Sequence, residues 1–421
     1  MNFARRSILS GAGFMAAVRP ANALTINDLQ ALIDKAIEVG GVAQLPAGSF
    51  ATAGLKINGT VHVQGVYGHT TLISSSGGPV FEIDGAAKVT LSGISFDGKH
   101  NAPSTDAFRQ TALVTARHSE HLHIDHCDFS ASPFTGLRIE DCSGKISDCH
   151  FSKLGDFALV ALNSTGLIIS NNVVDDIGNI GIAVWRSEAG YDGTQIVGNR
   201  VTRVRADSGG NGPYGNGINV YLAGNVITAN NHVSDTAFSS IRYNSSSNAQ
   251  IIGNNLSKAG EAALYVEFSF QGAVVANNII DGAGVGISIA NMDVGGRLAT
   301  CTGNIVRNIQ HGPTAEAGDA IGIWVDADTL VANNVLEDIG DAGIRLGWGA
   351  MSRNLTAQGN IIRKAKHGIV VSTTAGTGNI LVSGNMIDGA TAEAIQGYDF
   401  GTAVMGELPA HITLANNVIN R

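Results

Sequence analysis

Apolar residues come in short alternating runs of three to six positions, and the same run recurs along most of the chain. Phrases such as Ile251-Ile252-Gly253-Asn254-Asn255-Leu256 and Leu381-Val382-Ser383-Gly384-Asn385-Met386-Ile387 set out the unit. Its asparagine reappears at Asn171, Asn199, Asn231, Asn254, Asn277, Asn304, Asn333, Asn360, Asn385 and Asn416, in steps of 23 to 32 residues. A second phrase follows roughly ten residues later, as in Gly181-Ile182-Ala183-Val184, Gly286-Ile287-Ser288-Ile289 and Gly343-Ile344-Arg345-Leu346. Fixed-period self-similarity of this kind marks a solenoid. Runs this short, rich in Ile and Val and alternating, predict β-strands rather than helices. Each repeat should therefore hold at least two strands, and a dozen or so coils spaced about 4.8 Å apart would make a rod on the order of 60 Å long.

The asparagine belongs at a sharp corner, where Asn and Gly tolerate the left-handed backbone region. Amides stacked from coil to coil can then hydrogen-bond in a ladder. In earlier repeats Cys127 and Cys149, 22 residues apart, should occupy the same corner on adjacent turns. One element breaks the β pattern. After Thr25-Ile26-Asn27-Asp28, residues Leu29, Leu32, Ile33, Ala36 and Ile37 fall on one helical face that ends at Gly40-Gly41. A helix over 24–40 would cover the open first coil. At the other end, residues after Asn416 stop before another second phrase, so the edge there is protected by self-association through that uncapped coil, blunted by Arg421, or continued by further chain.

Composition agrees with a β-solenoid: 54 Gly and 14% charged residues in 421 compare with usual values of roughly 7% and 25%. Four cysteines, Cys127, Cys142, Cys149 and Cys301, are too few for a disulfide framework and read as small core residues. The net charge of −9, with no Lys/Arg cluster after residue 23, argues against nucleic-acid binding. Residues 1–23 carry Arg5-Arg6, a short apolar stretch and Ala21-Asn22-Ala23, which together read as a twin-arginine export signal. No later stretch approaches the 18 apolar residues of a membrane span, so no membrane insertion is expected. The mature chain, 24–421, should be one domain working in the periplasm or outside the cell.

Gly40-Gly41 with Leu45-Pro46-Ala47-Gly48, and more loosely Gln64-Gly65-Val66-Tyr67-Gly68, resemble the opening of the pectate-lyase-like superfamily of right-handed parallel β-helices. The resemblance implies that fold, with a capping helix, for nearly all of the mature chain. With its export signal, the sequence is also similar to a group of twin-arginine-translocated repeat proteins whose function is not established. That likeness supplies no catalytic residues.

Chemistry should sit on the outside. In the second strand of each repeat, the residues between the buried Ile and Val positions point outward and form two rows. The middle repeats gather Asn219, Tyr221, Arg242, Asn244, Tyr265, Glu267, Trp324, Asp326 and Arg345 there. Aromatic plates beside carboxylates and guanidinium groups suit sugar rings. A polysaccharide is thus the expected partner, with Asn219, Tyr221, Asn244, Tyr265, Trp324 and Arg345 binding it and Glu267, Asp326 and Arg242 acting on it. Glu267 and Asp326, two coils apart, would lie about 9.6 Å from each other, at the limit for an inverting hydrolase. A lyase would instead need a base and a cation, and Ca²⁺ held by Asp326 and Asp328 is the cofactor it would use. Substitution of Glu267 or Asp326 by Ala should then remove activity and leave stability nearly unchanged. Exposed β positions favour Tyr, Trp and Arg for cross-strand packing alone, so a non-catalytic cell-envelope scaffold or interaction protein, binding protein partners through its sides or open end, is the alternative. His118, His121, His123, His126 and His150 read as polar decoration rather than metal ligands, because a metal site needs three or four ligands within about 2.0 to 2.3 Å of one point.

Overall fold

The computed structural model describes residues 25–75, 77–101, 111–209, 212–312 and 320–420. The export signal read at 1–23, and Arg421, lie outside these residues. Each full coil contains three strands rather than two, exemplified by Ile168–Ser170, Val173–Ile177 and Ile180–Tyr191. First strands stack only on first strands, giving a parallel sheet of 15 strands. Second and third strands likewise stack on their own kind within a 28-stranded sheet. Fourteen steps of about 4.8 Å make the rod on the order of 70 Å long. The one antiparallel pairing among the described residues is the hairpin that joins Ile395–Asp399 to Thr402–Val404.

Stacking in register puts like residues in columns. Ile182, Ile218, Ile241, Leu264, Ile287, Ile323, Ile344 and Ile369 form one continuous buried column. Nearer the start, Phe96, Phe129 and Phe151 stack with ring centroids 4.9 and 4.6 Å apart. The helix α1 spans Ile26–Glu38, and Thr25 and Asp28 close its first turn in a capping box. It buries Leu29, Ile33 and Ala36 over the first coil, while Leu32 from the same sequence face remains exposed.

The corner after each first strand uses two residues with separate jobs. The first takes the left-handed conformation and, from Asn171 onward, is Asn or Gly: φ is 57° at Asn171, 70° at Gly253, 57° at Asn277 and 57° at Asn333, whereas His126 and Asp148 hold it in the two preceding coils. The second turns its amide inward and builds the ladder. The laddered residues are Asn172, Asn199, Asn231, Asn254, Asn278, Asn304, Asn334, Asn360, Asn385 and Asn417. Four of the ten expected positions, Asn171, Asn277, Asn333 and Asn416, are thus one residue early, because at these corners the left-handed residue is itself Asn and the amide that turns inward is the next one. At Asn254 every amide valence is used. Its Nδ2 donates to Thr228 O and Asn278 Oδ1, both at 3.0 Å, and its Oδ1 accepts from the N–H and Nδ2 of Asn231, both at 3.0 Å. The ladder starts where Cys149 N–H donates to Asn172 Oδ1 at 3.0 Å. Cys149 stacks on Cys127 as expected, and all four cysteines are free and buried.

This division of labour makes a sharp prediction. Asn278→Ala strands the N–H and one amide hydrogen of Asn254 in the core, at about 1 to 3 kcal/mol for each unsatisfied group. Asn277→Gly, one residue earlier, should change stability by less than about 1 kcal/mol, because Gly adopts the same φ freely. Urea unfolding of the two variants checks this, and equal losses would refute the assignment.

Candidate functional site

The two outer rows lie on the third strands, in the register read from the sequence. Asn219 pairs with Arg242, Arg242 with Tyr265, Tyr265 with Ser288, Ser288 with Trp324 and Trp324 with Arg345. Beside it run Tyr221, Asn244, Glu267, Ala290 and then Asp326. Tyr221 is exposed, but the charged members of the rows are not open to solvent. Arg242 is 7% exposed, Asp326 2% and Glu267 0%. Connections on both sides of the third strands wall the face. On one side the described part of the 205–215 insert is anchored by Asn179, whose amide bonds Ser208 twice at 2.9 Å. On the other, the extended strand Ile180–Tyr191 and the turn carrying Trp348 rise beside the rows.

In the middle coils the walls enclose a pocket of about 340 Å³ lined by Trp185, Gly212, Pro213, Asn219, Tyr221, Arg242 and Asn244. Trp185 Nε1 donates to Asn219 Oδ1 at 2.7 Å, which fixes the indole as a wall. Below lies a dense ionic cluster. Arg242 meets Glu267 in a fork, Nε to Oε1 at 2.7 Å and Nη2 to Oε2 at 2.9 Å, and its Nη1 reaches Glu261 Oε2 at 3.4 Å. Asn244 Nδ2 adds a bond to Glu267 Oε1 at 2.9 Å, and Ser239 Oγ donates to Glu261 Oε2 at 3.0 Å. Tyr265 lies under the Arg242 guanidinium, 4.9 Å from ring centre to Cζ. Burial first, then the nearby Glu267, pushes its phenol well above the ordinary range.

Farther along, Arg345 sits among three rings, 5.1 Å from Trp324, 5.3 Å from Trp348 and 5.8 Å from Tyr398. Asp326 is held by Trp324 Nε1 at 3.1 Å and by the backbone N–H of Asn291 at 3.1 Å. Burial raises its pKa to about 6, against the opposing pull of those hydrogen bonds. Asp328 is not brought to it: its carboxylate bonds Arg353 at 3.1 Å and Asn354 at 2.7 Å, on the first-strand sheet. Near the start of the rod His118 pairs with Asp84 and His126 with Asp125, each at 2.8 Å, and His150 lies beside Asp128 across coils. Among the described residues no group of three or more His, Cys, Asp or Glu is arranged to hold a metal ion.

The structure thus gathers the expected residues into two clusters, one around Arg242 and one around Arg345. Sequence reasoning missed Glu261, Trp348 and Tyr398. Glu261 sits in the turn just before its strand, outside the alternating window. Trp348 and Tyr398 lie on a connection and in a later coil, where the Gly-Ile phrase that marks the row is missing.

A solenoid of parallel strands with a walled outer groove is the class this geometry defines. A family profile described as "Right handed beta helix region" matches residues 55–201 and, overlapping them, 135–294. These spans cover more than half of the sequence, and the chain belongs to that right-handed β-helix family. Among curated proteins none matches in sequence. Among solved structures the chain is similar to a PL6 alginate lyase in complex with a trisaccharide, at 12% identity and TM-score 0.53 over 94% of each chain. It is also similar to pre-mature gene product 12 of bacteriophage phi29, at 12% identity and TM-score 0.50 over 88% of this chain and 64% of that one. PfbA, a surface adhesin of Streptococcus pneumoniae, aligns at 13% identity and TM-score 0.45 over 88% and 87% of the two chains. At these identities the likeness is one of fold. No helix among the described residues is long and apolar enough to cross a membrane.

Burial overturns the expectation that Glu267→Ala leaves stability nearly unchanged. It removes the main partner of a buried guanidinium and should cost about 3 to 5 kcal/mol, measurable as a lower urea midpoint. Asp326 predicts a pH effect of the opposite kind from a surface carboxylate. Its folded-state pKa of about 6 exceeds the unfolded value of about 3.9. Its protonated form therefore favours the fold fully below about pH 4, and that contribution is lost as pH rises through about 6. Comparing melting temperatures from pH 4 to 7, Asp326→Asn should fall less steeply than wild type. Parallel profiles would show that Asp326 titrates normally.

Proposed function

We propose that the chain binds a polysaccharide in the walled groove of its third strands, working outside the cytoplasm after twin-arginine export. The observation that carries this is the pocket between Trp185 and Tyr221, whose floor presents Asn219, Arg242 and Asn244. Its volume falls within the range of ligand sites, about 300 to 1,000 Å³. An indole and a phenol offer apolar faces to a sugar ring, and the amides and guanidinium offer hydrogen bonds to its hydroxyls. Trp324, Arg345 and Trp348 extend the same face by several coils, as a chain-like ligand requires. A fold shared with an alginate lyase is consistent with a glycan ligand, but it is the groove that carries the reading.

For processing, Asp326 is the best placed of Glu267, Asp326 and Arg242, since a carboxyl with a pKa near 6 suits acid–base work close to neutral pH. Glu267 has both oxygens bonded within the protein. That saturation favours binding without cleavage as the second reading, in which the rod is an envelope scaffold that holds glycans.

The test is retention of the mature chain, from Leu24, in affinity electrophoresis across a polysaccharide panel, with reducing ends and unsaturated products followed in parallel with and without calcium. Trp185→Ala and Tyr221→Ala should each weaken retention by about tenfold, on the order of 1.4 kcal/mol. Retention equal to wild type in both variants would place the ligand elsewhere.

A further inference from the structure

We infer that the pocket between Trp185 and Tyr221 takes an uncharged sugar ring rather than a uronate, because the one guanidinium among its described lining residues is already held by carboxylates of the next coil. This rests on the glycan-binding reading above. A receptor for a carboxylate needs a cation whose forked N–H edge is free to face it. The Arg242 fork is turned the other way. Its Nε and Nη2 both bond Glu267, which is fully buried, and its Nη1 meets Glu261. Two carboxylates of the next coil thus face one guanidinium.

The other charges nearby do not reverse this. Arg205, in the neighbouring insert, is paired with Asp176 and Asp207. Arg186, beyond Trp185, lies within 4.0 Å of Asp192. A uronate carboxylate entering the pocket would lose its water and find the Arg242 N–H groups taken by Glu267 and Glu261, whereas hydroxyls need only hydrogen bonds and the apolar faces of the two rings. The floor therefore sets specificity: Glu261 and Glu267 are positioning residues that consume the charge of Arg242. The same balance bears on chemistry. β-Elimination depends on a cation that neutralises the uronate, and Arg242, held by Glu267 and Glu261, does not supply it here.

The experiment measures retention of the mature wild-type chain by a neutral glucan, a neutral mannan, alginate, pectate and chitosan, each at low and high salt. Retention by a neutral polymer that changes less than about twofold with salt supports the inference, because no charge pair would be screened. Salt-sensitive retention by alginate or pectate overturns it and leaves the groove reading standing, provided Trp185→Ala abolishes that retention. Salt-sensitive retention by chitosan alone likewise overturns it, in favour of a cationic sugar. Retention by no polymer removes the groove reading and this inference together. The double variant Glu261→Gln/Glu267→Gln should gain alginate or pectate binding by about tenfold. A folded variant, judged by circular dichroism, that gains none overturns the role assigned to the two carboxylates. If the variant fails to fold, the wild-type salt series decides.

Discussion

Each coil must stack on the next in register, and the buried asparagine column enforces this. A parallel sheet fixes strand spacing but tolerates slippage, and a slip of one residue would turn every side chain to the opposite face. An amide with all its valences met above and below permits no slip, because moving one coil would leave two buried donors and two acceptors empty. Register set at one corner is carried around the coil by short strands. The outer rows, about half a coil away, inherit their alignment from it.

That alignment explains how charges come to lie buried on the outside of a solenoid. In most folds a buried ion pair joins distant segments. Here Arg242 and Glu267 sit on neighbouring coils, two residues apart in register, so the stacking that orders the core also brings the two groups together. Walls then remove the water. Buried ion pairs are weak evidence for stability and better evidence for a specific arrangement. A groove floor of fixed polarity is such an arrangement, and Arg345 among its rings lies four coils on.

Periodicity made the repeat, the capping helix and both outer rows legible from sequence, because each depends on spacing alone. Asn254 and Asn199 were identified correctly since Gly253 and Gly198 precede them and hold the left-handed position. In the doublets at Asn171, Asn277, Asn333 and Asn416 both residues are Asn, and only the backbone shows which one turns inward. Burial of the rows was hidden for a different reason. It depends on connections such as 205–209 with 212–215 and the turn at Trp348, which follow no period. Glu261 escaped notice because a carboxylate in a turn looks like surface until its partner is seen beneath the next strand.

The corner also makes the rod divisible. Every coil from Asn172 to Asn417 begins and ends on the same amide with the same partners, so a segment between two ladder asparagines is a complete unit whose ends match. Removing or duplicating one such unit leaves each remaining corner with a proper neighbour above and below. The length of this protein is therefore a variable that duplication can adjust in whole coils. The groove, built from residues on several consecutive coils, is what would limit where such a cut could fall.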